Sequence, residues 1–250
     1  MELHDTVALI TGGSSGIGAA TAAALGAAGS RPLLVGRDPG RLEAVAARTG
    51  ATPIRADLAT AEGPETAVSQ AVKAAGRIDV LVNNAGVGWA GSLTEMDRED
   101  VSRLVAVNLT APLQLTRLVT ARMAEHGGGY VVNVSSIAGG TGVSDEAVYS
   151  ATKAGLTTFT DAVRQDLAGS GIGVSLVVPG VVDTPFFVTR GSPYTRRWPR
   201  PVPAERLAAA IVDAVRRERA EVFVPRWMRL PARFHGGLPA AYRALAARFG

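Results

Sequence analysis

Short apolar runs without polar alternation recur along the chain, and each is followed by a longer segment of mixed character. The first run covers residues 6–10 (Thr-Val-Ala-Leu-Ile), and an alanine-rich segment follows it up to Ala28. Apolar runs of this kind indicate strands that are covered on both faces, which is typical of a parallel sheet. The pattern predicts strands at residues 6–10, 32–35, 53–55, 78–82, 130–134, 173–178 and 221–224.

Helices are predicted between these strands, and proline or glycine marks several of their ends. Asp38-Pro39 opens one helix, since aspartate caps free backbone amides and proline suits the first helical position. A run of three glycines from Gly127 ends another helix. The predicted helices cover residues 19–28, the segment opened by Pro39, 64–75, 97–108, 112–125, 148–168 and 204–217.

Strands that alternate with helices predict an α/β fold with a doubly wound parallel sheet. We expect one Rossmann-like domain over residues 1–250, with its core at about 5–225 and the strand order 3-2-1-4-5-6-7. Residues 184–203 contain five prolines, and we expect a loop there that acts as a lid. Candidate walls of a substrate pocket are Trp89, Val143, Phe186, Phe187, Tyr194 and Trp198.

The composition excludes several classes of site. The chain has no cysteine, which rules out disulfides, iron–sulfur clusters and a cysteine nucleophile. Its three histidines are scattered, so we expect no metal site. The first residues lack the basic start and apolar run of a signal peptide, and no apolar run reaches 18 residues. These features predict a soluble cytoplasmic protein.

Four glycine-rich or polar segments come directly after four of the predicted strands. They are residues 11–18, 83–86, 135–136 and 179–180. Because the carboxyl ends of parallel strands meet at one edge of the sheet, these segments are expected to line one crevice. The glycines of the first segment suit a pyrophosphate at a helix N-terminus. Their spacing differs from G-x-G-x-x-G, so an ordinary glycine-rich turn is the alternative.

Tyr149 and Lys153 lie four residues apart, which places them on one face of a helix. An ammonium near a phenol favours the phenolate, so the pair predicts a lowered pKa for Tyr149. Such a phenol can act as a general acid or base near neutral pH. A surface Tyr–Lys pair is the alternative, but Lys153 is one of only two lysines in an arginine-rich chain.

Jointly, these segments resemble the short-chain dehydrogenase/reductase family over roughly residues 5–225. The spacing of 13 between Ser136 and Tyr149 suits the family as well. The matching elements are Thr11-Gly-x-x-x-Gly-x-Gly18, Asn83-Asn-Ala-Gly86, Asn108, Ser136, Tyr149-x-x-x-Lys153 and Pro179-Gly180.

The resemblance implies an oxidoreductase that interconverts a ketone and a secondary alcohol by hydride transfer with a nicotinamide cofactor. Tyr149 would exchange a proton with the substrate oxygen, and Ser136 would hydrogen-bond that oxygen, with Ser135 the weaker candidate. Lys153 would bind the nicotinamide ribose. Asn108 would hold a water beside Lys153, unless it merely bends or caps a helix. The implied cofactor-binding residues are Gly12, Ser14, Ser15, Gly16, Ile17, Gly18, Arg37, Asp57, Leu58, Asn84, Ala85, Gly86, Tyr149, Lys153, Pro179, Gly180, Val182 and Thr184.

The preferred cofactor is predicted from the end of the second strand. NAD-selective relatives have an acidic residue there, whereas this chain has Gly36 followed by Arg37. A guanidinium suits the 2′-phosphate of NADP(H), which we expect to be preferred. NAD(H) stays open, because Asp38 is adjacent and Ser15 stands where many NADP-dependent relatives have a second basic residue. Asp57 is either an adenine contact or a helix cap.

The charge is unevenly distributed, although the net charge is only +4. Residues 190–250 carry 13 arginines and 4 acidic residues, whereas residues 1–189 carry 13 basic and 18 acidic residues. The tail at about 226–250 pairs apolar residues at helical spacing with arginines. We expect this tail either to pack on its own or a partner subunit, or to contact an anionic membrane surface. The apolar residues are Trp227, Leu230, Phe234, Leu238, Tyr242, Leu245 and Phe249.

The resemblance implies a homodimer or homotetramer with a small carbonyl or alcohol substrate, and no nucleic-acid recognition module is visible. The rival function is a dinucleotide-binding sensor or scaffold. A protein that only binds does not need a phenol with a shifted pKa, so the complete set Asn108, Ser136, Tyr149 and Lys153 argues against this alternative. A nucleotide-sugar epimerase or dehydratase would need a longer substrate domain than this chain has room for.

Overall fold

In the computed structural model, which describes residues 1–238, Ala240 and Tyr242, nine strands alternate with ten helices. The strands are β1 (Val7–Thr11), β2 (Arg31–Gly36), β3 (Thr52–Arg55), β4 (Val80–Asn83), β5 (Gly129–Val134), β6 (Ile172–Pro179), β7 (Val182–Asp183), β8 (Val202–Pro203) and β9 (Glu221–Val224). The helices are α1 (Gly16–Ala27), α2 (Pro39–Thr49), α3 (Gly63–Ala75), α4 (Arg98–Val105), α5 (Ala111–Glu125), α6 (Ile137–Thr141), α7 (Ala147–Asp166), α8 (Phe186–Thr189), α9 (Ala204–Arg216) and α10 (Arg229–Gly237).

Seven of the strands form one parallel sheet in the order β3-β2-β1-β4-β5-β6-β9. This confirms the Rossmann-like fold and the strand order predicted from the sequence. The two remaining strands, β7 and β8, pair only with each other.

Each face of the sheet is covered by helices, which explains why the strands lack polar alternation. Successive residues of β1 point to opposite faces: Ala8 and Ile10 pack with α1 and α9, and Val7 and Leu9 pack with α3 and α5. All four residues are at most 1% exposed. A strand buried on both faces needs apolar residues at every position.

The structure corrects the sequence prediction in three places. Residues 184–203 are not all loop, because α8 and β8 lie within them. The predicted helices 97–108 and 112–125 are one continuous run, joined by a π-helical turn at Ala106–Thr110. The helix α6 was not predicted, since five residues are too few to show a helical period. Leu245 and Phe249 of the predicted tail stripe lie outside the described residues.

Judged by length and composition alone, the continuous helical run Arg98–Glu125 is long and apolar enough to cross a membrane. Its side chains Leu104, Leu115 and Val119 are fully buried in the protein. The run is therefore a core helix of this fold.

Asp79 directly precedes β4, at the amino end of the parallel strands. Among the acidic residues at this end of the sheet, we expect it to contribute most to the free energy of unfolding. It is 4% exposed; it accepts the Val7 amide at 2.8 Å and pairs with Arg77 at 2.7 Å. Asp79→Leu leaves that amide unsatisfied and should lower the free energy of unfolding by about 3 kcal/mol. Urea denaturation measures this loss. Asp161→Asn is the control, since its pair with Arg164 is exposed and should contribute less than about 0.5 kcal/mol. Equal losses in both variants would contradict the assignment.

Candidate active site

A cavity of about 600 Å³ opens at the carboxyl edge of the sheet. The segments that follow β1, β4, β5 and β6 all border it, as the sequence predicted. Every predicted catalytic and cofactor-binding residue lines this cavity except Gly18 and Asn108. The topology therefore brings residues from across some 170 positions of the chain to one place.

The glycines of the turn before α1 allow it to pack closely against the segments around it. Gly12 has φ +66°, and a Cβ there would lie 2.9 Å from the Ala85 Cα. A Cβ on Gly18 would lie 2.2 Å from the Gly12 carbonyl oxygen, so Gly18 packs α1 against the turn and does not line the cavity. Thr184 covers the turn, with its methyl 3.0 Å from the Cβ position of Gly16.

The N-terminus of α1 is suited to a phosphate group. Within this helix, Ser15 makes no side-chain cap and the first turn holds no acidic residue. The amides of the first turn have no partner inside a helix, and the helix dipole favours a negative charge there. The turn thus fits the pyrophosphate of a dinucleotide.

Thr11 fixes the segment after β4 against the end of β1. Its hydroxyl accepts the amides of Asn84 and Ala85, both at 2.9 Å, and donates to the Val82 carbonyl at 3.2 Å. The Asn84 side chain donates to the Thr11 carbonyl at 2.9 Å. Residues 84–86 are thereby held as a rigid wall of the cavity.

Tyr149 lies on the first turn of α7 and is only 8% exposed, with its ring 5.6 Å from that of Phe186. Burial raises the pKa of Tyr149 to about 12, while the hydroxyl of Ser136 acts to lower it. The predicted lowering is therefore wrong for this structure. The reason is that burial destabilises the phenolate more than the Ser136 hydroxyl and the Arg190 charge stabilise it, while the Lys153 ammonium stays 5.9 Å from the ring centroid.

Lys153 is 4% exposed, and burial lowers its pKa to about 8. Its ammonium donates to the Val134 carbonyl at 3.0 Å, and among the described residues it forms no ion pair. An ammonium has three donors, so the others are free to bind hydroxyl groups in the cavity.

Asn108 lies in the π-helical turn and is fully buried. Its side-chain oxygen accepts the Val87 amide at 2.8 Å, and its nitrogen donates to the Val87 carbonyl at 2.9 Å and to Thr152 at 3.3 Å. Asn108 therefore clamps the segment after β4 to α7. Its position in the π-helical turn fits the helix-bend alternative, and a role in holding water stays a prediction.

The two serines after β5 have different surroundings. Ser136 lines the cavity and caps α6, where its hydroxyl accepts the Ala138 amide at 3.2 Å. Ser135 is buried, and its hydroxyl donates to the Lys153 carbonyl at 2.9 Å and bonds Thr157. Ser135 thus ties β5 to α7 and sets Ser136 relative to Tyr149.

Two arginines line the end of the cavity beyond β2. Arg37 was predicted, whereas Arg41 was missed, although it follows Arg37 by four residues on the first turn of α2. Asp38 caps α2 by accepting the Arg41 amide at 3.0 Å, and its carboxylate also lies 3.4 Å from the Arg41 guanidinium. Asp57 lines the same end, where an adenine contact stays a prediction. It does not cap a helix: it accepts the Ala59 amide at 3.0 Å within a turn, and α3 begins only at Gly63, after Glu62.

The other end of the cavity, past Tyr149, is walled by apolar and aromatic side chains. Of the predicted walls, Trp89 lines a separate small hollow and Trp198 is 67% exposed. The predicted walls that do line the cavity are Val143, Phe186, Phe187 and Tyr194.

An ion pair between Arg190 and Glu146 joins the segment after β7 to the start of α7. The sequence prediction missed this pair.

Comparison with known proteins agrees with this geometry. The family model for short chain dehydrogenases matches residues 6–194. The ketoacyl reductase HetN of Nostoc sp. is 35% identical over 221 residues, which cover 86% of this chain and 77% of that protein.

Two solved structures resemble this one closely. A short-chain dehydrogenase from Sphingobium yanoikuyae in complex with NADPH has a TM-score of 0.82 and 30% identity, covering 94% of this chain and 95% of that one. A 3-ketoacyl-(acyl-carrier-protein) reductase from Brucella melitensis complexed with NADH has a TM-score of 0.82 and 28% identity, covering 89% and 97%. From the family match and these relatives, the chain belongs to the short chain dehydrogenase family of oxidoreductases.

Proposed function

We propose that this protein is an NADPH-dependent reductase that interconverts a ketone and a secondary alcohol. One observation carries the proposal: Tyr149, Ser136 and Lys153 converge on the cavity whose far end holds the free amides of α1. A phenol, a hydroxyl and a buried ammonium are the groups needed to polarise and protonate a carbonyl oxygen.

The bound nicotinamide supplies the hydride, and the protein supplies position and a proton. With a pKa raised to about 12, Tyr149 is protonated at neutral pH, which is the form that donates a proton during reduction. Ser136 hydrogen-bonds the same substrate oxygen and stabilises the negative charge that develops there. Lys153 binds the ribose hydroxyls and so orients the cofactor beside Tyr149.

The preference for NADPH is supported by the charges at the adenosine end. Arg37 and Arg41 face this end, and the Asp38 carboxylate is engaged as a helix cap. Two guanidinium groups suit a 2′-phosphate, whereas the diol of NADH calls for an acidic partner. Of the two related structures, one holds NADPH and the other NADH, so the choice rests on these residues.

Arg37→Ala should raise the KM for NADPH about 30-fold, because it removes a charge-assisted hydrogen bond to the 2′-phosphate. The KM for NADH should change less than threefold. Steady-state rates with both cofactors measure the two values. Arg48→Ala is the control, since Arg48 lies on α2, the helix that follows Arg37, but outside the cavity. An unchanged KM for NADPH in Arg37→Ala would refute the assignment.

The substrate is expected to be a medium-sized apolar ketone, because aromatic rings wall the cavity past Tyr149. Ketoacyl thioesters belong in the test, since two relatives are named ketoacyl reductases. Initial rates of NADPH oxidation with ketones, diketones, quinones, steroids and ketoacyl thioesters would identify the class. Cofactor binding without turnover of any carbonyl would favour the sensor alternative.

We further propose that the enzyme is a cytoplasmic homodimer or homotetramer, as its family resemblance implies. The chain is proposed to form one domain, with residues 184–203 acting as a lid. The ion pair between Arg190 and Glu146 supports the lid, because it fastens this segment to the helix that carries Tyr149.

A further inference from the structure

Two segments beside the mouth of the cavity carry arginines and no acidic residue. Residues 184–203 and 225–238 hold seven arginines and neither aspartate nor glutamate. All but Arg190 are exposed, and within the described part of the chain none of those six forms an ion pair. The six are Arg196, Arg197, Arg200, Arg226, Arg229 and Arg233.

Large apolar side chains are exposed between these arginines. Trp198 is 67% exposed, Leu230 is 70% exposed, and Trp227 and Phe234 are each 37% exposed. An arginine directly precedes each of the four in the sequence. We call these four residues and the six arginines the basic apolar face.

The basic apolar face is one surface because its two segments are joined. The rings of Trp198 and Trp227 stack with their centroids 4.8 Å apart, at an interplanar angle of 24°. Trp227, Leu230 and Phe234 are spaced at intervals of three and four residues, so they share one side of the chain around α10.

The segment that carries Trp227 is firmly seated on its own subunit. Met228 is 5% exposed and packs with Val178 and Phe223, and Ala232 approaches Gly140 of α6. Met228 and Ala232 thus make the contacts by which the tail packs on its own subunit, one of its two predicted roles. The basic apolar face points outward and takes no part in these contacts, so they do not explain why its apolar residues are exposed.

The basic apolar face borders the mouth of the cavity. Arg196 belongs to the basic apolar face and also lines the cavity. Its neighbours Tyr194 and Pro199, which are not part of the face, line the cavity too. Val143, which lines the cavity just after the end of α6, is 36% exposed. A flat surface bound to this face would therefore meet the entrance to the candidate active site.

We propose that the basic apolar face binds an anionic phospholipid bilayer and opens the cavity toward lipophilic carbonyl compounds dissolved in it. Tryptophan is favoured at the membrane interface, and arginine beside it attracts acidic lipid headgroups. A helix of this kind lies in the interface with its apolar side chains in the acyl boundary. The substrate clause rests on the proposed function, whereas the contact with the bilayer does not.

A second copy of the chain is the poorer occupant. A twofold contact would place this face against itself, and six arginines would meet six arginines with no acidic residue to compensate. An acidic protein would match the charges alone. The exposed apolar residues next to each arginine favour a bilayer, where side chains of both kinds are accommodated at different depths.

The test is co-sedimentation of the full chain with vesicles, without cofactor or substrate. We expect binding to vesicles of phosphatidylcholine and phosphatidylglycerol at 3:1, and none to pure phosphatidylcholine. Replacing Arg196, Arg229 and Arg233 by glutamine should weaken the partition roughly 100-fold. Leu230→Ser/Phe234→Ser should weaken it roughly tenfold. The matched control replaces three exposed arginines near the opposite edge of the sheet by glutamine: Arg31, Arg122 and Arg216.

The control should bind as wild type does, within about threefold. Absence of binding to anionic vesicles, equal binding to neutral ones, or equal loss in the control would each overturn the proposal. Capture of an acidic carrier protein in place of vesicles, or a lower oligomeric mass in the triple-glutamine variant, would assign the face to a protein partner instead. If that variant loses its thermal transition, Leu230→Ser/Phe234→Ser decides. Because no turnover is measured, the result stands apart from the proposed reductase activity.

Discussion

Tyr149→Phe is expected to lower kcat for ketone reduction by about 10³-fold and to leave the Kd for NADPH nearly unchanged. The substitution removes the hydroxyl that we propose protonates the substrate oxygen, while the ring keeps its contact with Phe186. The fold should be unaffected, because a buried phenol is exchanged for an apolar ring of the same shape. Steady-state NADPH oxidation gives kcat, and quenching of protein fluorescence by NADPH gives the Kd.

Tyr130→Phe is the matched control. Tyr130 is also buried, and its hydroxyl bonds Ser175 at 2.9 Å and the Ala214 carbonyl at 3.2 Å, away from the cavity. It should lose stability without losing catalysis. Full activity in Tyr149→Phe would remove Tyr149 from the chemistry. An equal fall in NADPH affinity would mean that Tyr149 shapes the binding site and does not transfer the proton.

The sheet and the place of the site follow from the sequence because parallel topology leaves little choice. Once the apolar runs are assigned as parallel strands, the segments after them must meet at one edge. Residues far apart, such as Gly12, Ser136 and Thr184, are therefore predicted together and do line one cavity. The cap of α2 was equally predictable, since Asp38 and Pro39 act within one turn.

What the sequence could not predict depends on tertiary contacts or on very short elements. The ion pair between Arg190 and Glu146 joins residues 44 positions apart, and no local pattern links them. The helix α8 has four residues, fewer than a periodic pattern requires. The sign of the Tyr149 pKa shift depends on burial, which spacing along a helix does not reveal.

Lys153→Met is expected to make the protein inactive and more stable at the same time. The wild-type native state buries an ammonium whose only described hydrogen bond is to the Val134 carbonyl. Burial lowers the pKa of Lys153 from 10.5 to about 8, which corresponds to a cost of about 3 kcal/mol when the group is charged in both states. Allowing for the lost hydrogen bond, the variant should gain about 2 kcal/mol in free energy of unfolding at pH 7.

The pH dependence of stability tests the same effect by its sign. Between pH 8 and 10.5 the unfolded chain binds more protons at Lys153 than the native state does, so wild-type stability rises with pH there. The advantage of the variant should therefore be full below pH 8 and vanish toward pH 10.5. Urea denaturation at pH 7, 8.5 and 10 measures the difference in free energy at each pH.

Lys73→Met is the matched control, because Lys73 is the only other lysine and is exposed on α3. It should change neither the stability by more than about 0.5 kcal/mol nor its pH dependence. If Lys153→Met is instead less stable at pH 7, with a difference that does not change up to pH 10, then the ammonium contributes to folding. The buried Lys153 would then stabilise the native state. The idea that keeping this charge for cofactor binding lowers the free energy of unfolding would be disproved. A gain in stability with loss of turnover would mean that Lys153 is kept for catalysis at the expense of the fold.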